Sequence, residues 1–284
     1  MNQLPVEVVP LIEALKSVDG IQAIVLGGSR ARGTHTPASD VDLGIYYNND
    51  RPLDVQKLDQ IASEIDDRHK TGLVTPIGGW RPWINGGGWL KLSGVPVDLL
   101  YRDLDKVQLT VNNCVMGKVE IAYQPGHPFG FLSSNYTAET ALCLPLWDPE
   151  NQLSELKGQL AVYPPLLKRA LAQKFAWEIQ FSIEIAEKAV PRRDVVYAAG
   201  CLFRCVECML VVLFALNEQH WMNEKGALTL SEGFVHRPDR FSDRVEALFE
   251  LLAADETRLL EAISLAKEIG ADVSALVSQA IPPM

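Results

Sequence analysis

Gly27-Gly28-Ser29-Arg30-Ala31-Arg32-Gly33-Thr34-His35-Thr36-Pro37-Ala38-Ser39-Asp40-Val41-Asp42-Leu43 lies between two short apolar runs, Ile21 to Leu26 and Val41 to Tyr47. Both runs have β-type composition and are bounded by turn residues: Gly27-Gly28 closes the first, and Ser39-Asp40 and Asn48-Asn49-Asp50 flank the second. Asp40 and Asp42 are two apart at the start of the second run, and alternation along a strand puts both carboxylates on one face. Like charges held that close repel at neutral pH, so the pair calls for a cation. Oxygen-only ligands favour Mg²⁺ or Mn²⁺ over zinc.

Working outward, Leu53, Leu58, Ile61 and Ile65 recur at helical spacing. Trp89 to Leu92, Ser93-Gly94 and Val95 to Tyr101 read as a hairpin, with Pro96 at the start or on the edge of its second strand. Asp98 stands mid-strand between Val97 and Leu99, where an isolated ionised carboxylate is costly to bury. If that strand pairs beside Val41 to Tyr47, three carboxylates can hold two metals ~3.5 to 4 Å apart.

Gly28-Ser29 follows a strand and precedes a helix, so its amides and hydroxyl suit an anion. Arg30 and Arg32 are candidates for bidentate phosphate contact, with solvated arginines at a helix start as the alternative. A Walker-type loop is excluded because Thr34 stands where lysine is needed, and G-x-G-x-x-G is absent. Taken singly, each Asp can be a cap or turn residue: Ser39-Asp40 beside Pro37 makes an acceptable turn, and Asp98 can pair with Arg102 or Lys91. One metal and triphosphate site explains the three carboxylates and the Gly-Ser turn together.

The stretch Gly78 to Trp89 holds three tryptophans, which could stack a base or roof a substrate; filling core is the commoner fate and the reading adopted. Gly126-His127-Pro128-Phe129-Gly130 reads as a rigid turn, with His127 as a general base the alternative. After Pro149 the pattern turns helical: Leu166 to Lys188, Asp194 to Gln219, Asp243 to Ala254 and Glu256 to Ile269. This gives an α/β domain over 1–148, built on a mixed sheet, and an all-α helical bundle over 149–284. Arg204 and Glu207, three apart on an apolar helix, read as a structural ion pair.

The chain has 284 residues and a formal net charge of −10, which disfavours a nucleic-acid partner because such affinity rests on Lys and Arg. No basic, apolar leader opens the sequence, and the longest apolar segment, Cys201 to Leu216, is interrupted by Arg204 and Glu207, so neither a secretory signal nor a membrane span is expected. Five cysteines in no scaffold-like pattern fit reduced thiols and a cytoplasmic setting. Cys201, Cys205 and Cys208 share a helix face, and burial is favoured over a zinc site.

Gly28-Ser29, Asp40-Val41-Asp42 and Asp98 resemble the signature of the polymerase-β-like nucleotidyltransferase superfamily: Gly-Ser, a spacer, Asp-x-Asp, and a third Asp on a later strand. The two-domain arrangement is similar to that of antibiotic nucleotidyltransferases, although a fold does not fix a substrate. The resemblance implies transfer of a nucleoside monophosphate from an NTP, with ATP the expected co-substrate, to a hydroxyl of a small molecule, releasing pyrophosphate. It implies two Mg²⁺ or Mn²⁺ ions on Asp40, Asp42 and Asp98, with Asp98 accepting the acceptor proton. Gly28, Ser29, Arg30, Arg32 and Ser39 form the expected nucleotide-binding set, with Lys225 reaching the triphosphate from the helical half. The alternatives are transfer onto a protein or tRNA, and a non-catalytic NTP-binding or toxin-neutralising module.

Overall fold

The computed structural model describes residues 3–80 and 82–281. They form two compact units: Met1–Asn112 with Ile121–Gly126 and Ser133–Val162, and Asn113–Glu120 with His127–Leu132 and Tyr163–Met284.

In chain order the strands are β1 (Ile21–Leu26), β2 (Val41–Tyr47), β3 (Gly87–Leu92), β4 (Val95–Asp103), β5 (Ile121–Ala122), β6 (Phe131–Leu132) and β7 (Leu144–Trp147). The first unit is built on a mixed five-stranded sheet of order β3-β4-β2-β1-β7. Only β2 and β4 run parallel; β3 with β4, β1 with β2 and β1 with β7 are antiparallel. The Ser93-Gly94 turn has φ of 49° and 87°, the two left-handed residues that match the twist of a tight hairpin.

The helices of this unit are α1 (Val9–Leu15), α2 (Gly28–Arg32), α3 (Val55–Ile65), α4 (Leu104–Val115), α5 (Ser134–Leu142) and α6 (Gln152–Gly158). Asp54 starts α3 by accepting the Lys57 amide at 2.9 Å. One face of the sheet carries Val41, Leu43, Ile45, Leu90, Leu92, Val97, Leu99 and Tyr101, all buried with α1 and α3 in one apolar cluster. The opposite face takes the alternate positions, as the two-residue period of a strand requires. On that face Arg102 is buried and forked onto Glu139 of α5, Nε to Oε2 and Nη2 to Oε1, both at 2.7 Å.

The second unit is helical: α7 (Pro165–Glu187), α8 (Val195–Leu216), α9 (Ala227–Ser231), α10 (Phe241–Glu250) and α11 (Glu256–Ala280). Asp194 and Asp255 cap α8 and α11 by accepting the Tyr197 and Arg258 amides. By length and composition alone α8 is apolar enough to cross a membrane, and 72% of its apolar window is buried inside the protein. All five cysteines are free thiols, and Cys205 and Cys208 are buried on α8.

Arg204 and Glu207 do not pair. Arg204 turns toward α7, where its guanidinium meets the Glu178 carboxylate and stands 4.9 Å from the Phe129 ring, while Glu207 is buried. Three-residue spacing puts two side chains within reach, but a partner on the neighbouring helix wins.

Candidate active site

Asp42 and Asp98 are opposite one another in the parallel β2–β4 ladder, and paired residues of a ladder project to the same face. Trp89 on β3 is in turn opposite Asp98. Trp89, Asp98 and Asp42 therefore form one row across three strands, on the face away from the apolar cluster. Both carboxylates are half-buried.

The Gly27-Gly28 turn closes over this row. The Gly27 amide donates to the Asp42 carbonyl at 2.8 Å, extending the β1–β2 ladder. Gly28 has φ +58°, and a Cβ there would stand 1.8 Å from Asp42 Oδ2. Position 28 therefore needs glycine twice over, for its left-handed backbone and for the carboxylate lying against it. Ser29 follows in the first turn of α2, half-buried. The helix ends at Gly33, φ 72°, where the Thr34 amide reaches back to the Ser29 carbonyl at 3.0 Å.

Arg30 is 6% exposed and donates from Nε to the Asp40 carbonyl at 3.0 Å and from Nη2 to the Ser39 carbonyl at 2.8 Å. The expectation of a solvated or phosphate-facing arginine is replaced by an internal strut that ties α2 to the entry of β2. Arg32 is partly buried, and burial pulls its guanidinium below its usual value. The Ser39 hydroxyl accepts the Thr36 amide at 2.9 Å, closing the Thr36–Ser39 turn.

Asp40 is exposed and lies just before the strand, which begins at Val41. Among the described residues no group of three or more His, Cys, Asp or Glu side chains is close enough to hold a metal ion. Sheet pairing thus brings Asp42 and Asp98 together, and Asp40 stands outside the ladder. Lys225 belongs to the second unit, exposed, ahead of the left-handed Gly226 that starts α9.

The tryptophans do not fill core. Trp89 is 61% exposed and its ring lies 4.5 Å from that of Trp80. Trp83 packs edge-on to Tyr136 and carries the Lys106 ammonium 4.5 Å from its ring centroid. Buried Gln124 fixes this loop, accepting the Trp83 amide at 3.0 Å and donating to the Trp80 carbonyl at 2.9 Å. The Trp89–Asp98 juxtaposition was missed in the sequence, although the alternation of the hairpin held the signal. His127 lies in a turn closed by the Gly130 amide on its carbonyl, with its ring edge-on to Phe131.

A Gly-Ser turn pressed on a strand carboxylate, with a second carboxylate on the adjacent parallel strand, is the frame of a polymerase-β-like nucleotidyltransferase. Residues 10–119, which contain all of these groups, match the family model described as Nucleotidyltransferase domain, so this segment of the chain is a nucleotidyltransferase domain. Among solved structures, it is similar to a nucleotidyltransferase-like protein from Exiguobacterium sibiricum 255-15, with 12% identity, TM-score 0.44, and 92% of this chain and 72% of that one covered. A CdnC:HORMA-deltaN complex from E. coli MS115-1 matches at 14% identity and TM-score 0.22, over 94% and 87% of the two chains. No curated protein sequence matches the chain.

Proposed function

We propose that the protein transfers a nucleoside monophosphate from an NTP, ATP being the expected donor, to a hydroxyl of a small acceptor, releasing pyrophosphate. The observation that carries this reading is the Asp42–Asp98 register pair with Gly28 against Asp42. The donor set is all oxygen and suits Mg²⁺ or Mn²⁺, with Asp42 and Asp98 as ligands and Asp40 joining from the strand entrance. Such ions, when bound, would neutralise charge on the triphosphate and on the acceptor oxygen.

The chain's own groups have separate tasks in this proposal. The Gly28 and Ser29 amides and the Ser29 hydroxyl face the β- and γ-phosphates, with Arg32 as a further cation. The acceptor oxygen attacks the α-phosphorus, its proton passes to a carboxylate oxygen of Asp98, and the bond from the α-phosphorus to the bridging oxygen breaks as pyrophosphate leaves. Trp89, next to Asp98 in the row, offers an indole face to the acceptor. Arg30 positions the Asp40 backbone without touching substrate. Residues 1–148 carry the chemistry in this scheme.

The test is pyrophosphate release from purified protein given each of the four NTPs, Mg²⁺, and a panel of hydroxylated acceptors including aminocyclitol sugars. Pyrophosphate formed one-for-one with nucleotide-labelled acceptor is expected. Orthophosphate in its place, or tRNA as the sole productive acceptor, contradicts the reading.

A further inference from the structure

The helical unit contains a cavity of about 540 Å³, in the size range of small-molecule sites. Phe203 and Leu210 of α8, Leu228 of α9 and Phe249 of α10 give it apolar walls. Four carboxylates line the same space: Glu207, Glu224, Glu246 and Glu250. Glu207 is 5% exposed, and its Oε2 is buried with no hydrogen-bond partner. A buried polar atom left unmatched is costly, and such groups are rare in folded proteins.

Two cations nearby in sequence, Arg204 and Arg258, are committed elsewhere. Arg204 is held by Glu178 and the Phe129 carbonyl, and Arg258 donates to the main-chain carbonyl of Glu250. Glu224 accepts the Phe129 amide at 2.6 Å through one carboxylate oxygen. Burial, with Glu224 close by, pushes the Glu207 carboxyl up to about 8. Glu246 and Glu250, one turn apart on α10, are exposed.

We infer that this cavity binds an aliphatic diamine, with one protonated amine against Glu207, the methylene chain along Phe203 and Phe249, and the second amine at Glu246 and Glu250. A bare metal ion would leave the apolar walls unused, and a neutral molecule would leave the carboxylates unanswered. An ammonium near the phenyl faces also gains cation–π attraction. The site is independent of nucleotidyl transfer and is tested without nucleotide.

The experiment is calorimetric titration of the full chain with 1,5-diaminopentane and, separately, with 1,5-pentanediol. Saturable diamine binding is expected, at least tenfold tighter than any diol binding. Glu207 gives its proton to solvent as the ammonium binds, so Glu207→Gln, which keeps the shape but cannot ionise, weakens the diamine at least tenfold. The double variant E246Q/E250Q, confined to exposed positions, weakens it at least threefold and decides the matter if E207Q does not fold. Diol binding as tight as diamine, binding unaffected by the variants, or no diamine binding at millimolar concentration overturns the inference.

Discussion

Asp42 and Asp98 are 56 positions apart in the chain and immediate neighbours in space, paired across the one parallel ladder of the sheet. Two antiparallel pairings flank that ladder, so β2 and β4 are interior strands whose register is fixed by neighbours on both sides. A one-residue slip of either strand would turn its carboxylate into the apolar cluster. The packing that stabilises the domain therefore also sets the spacing of its acids.

Gly28→Ala separates activity from stability. The left-handed backbone costs an alanine about 1–2 kcal/mol. The clash is with the end of the Asp42 side chain, which can rotate away, so the fold survives while the carboxylate moves. A drop in turnover of about a hundredfold is expected, with a melting temperature lowered by only a few degrees. Turnover and melting temperature measured on one preparation check this.

Arg30→Ala removes two donors from the Ser39 and Asp40 carbonyls. The expected loss is about 1–3 kcal/mol in urea unfolding. Turnover should fall with little change in the Michaelis constant for NTP, since Arg30 positions the Asp40 backbone. Selective weakening of NTP binding would give Arg30 a direct phosphate contact instead.

Asp66 ties the end of α3 to β3: its buried carboxylate accepts Arg68 Nε at 2.7 Å and Nη2 at 2.9 Å, and the Lys91 amide at 2.7 Å. The bonds from the Arg68 side chain hold its carboxyl well below the usual carboxylate range. A depressed folded value means that its stabilisation is present above the unfolded value of about 3.9 and lost as pH falls below it. Asp66→Ala should cost about 3 kcal/mol at pH 7, and the gap to wild type should narrow between pH 4 and pH 2. Denaturant midpoints across that range provide the check.

The catalytic half was legible where local pattern and tertiary role coincide. Apolar runs gave β1 and β2, Ser93-Gly94 gave the hairpin, and the acids followed from alternation. Helix α5 escaped because Asn135, Thr137 and Thr140 are polar yet buried, which hides its inward face. Strand β7 escaped because Pro145 interrupts it. The strand was read from Val41, where it does begin, but its alternation was carried back to Asp40, which stands outside the ladder. The Arg204–Glu207 pairing failed because the competing partner, Glu178, is 26 residues away in sequence and adjacent only after α7 and α8 pack. The tryptophans were assigned to core on composition, although Trp89 alternates onto the open face.

The most direct measurement is pyrophosphate release, with saturating NTP, Mg²⁺ and acceptor, by wild type and by Asp42→Asn and Asp98→Asn, each shown by melting temperature to be folded. Both isosteric variants should lose about a thousandfold or more in rate. Either variant turning over within tenfold of wild type would contradict the central claim that this register pair performs the transfer.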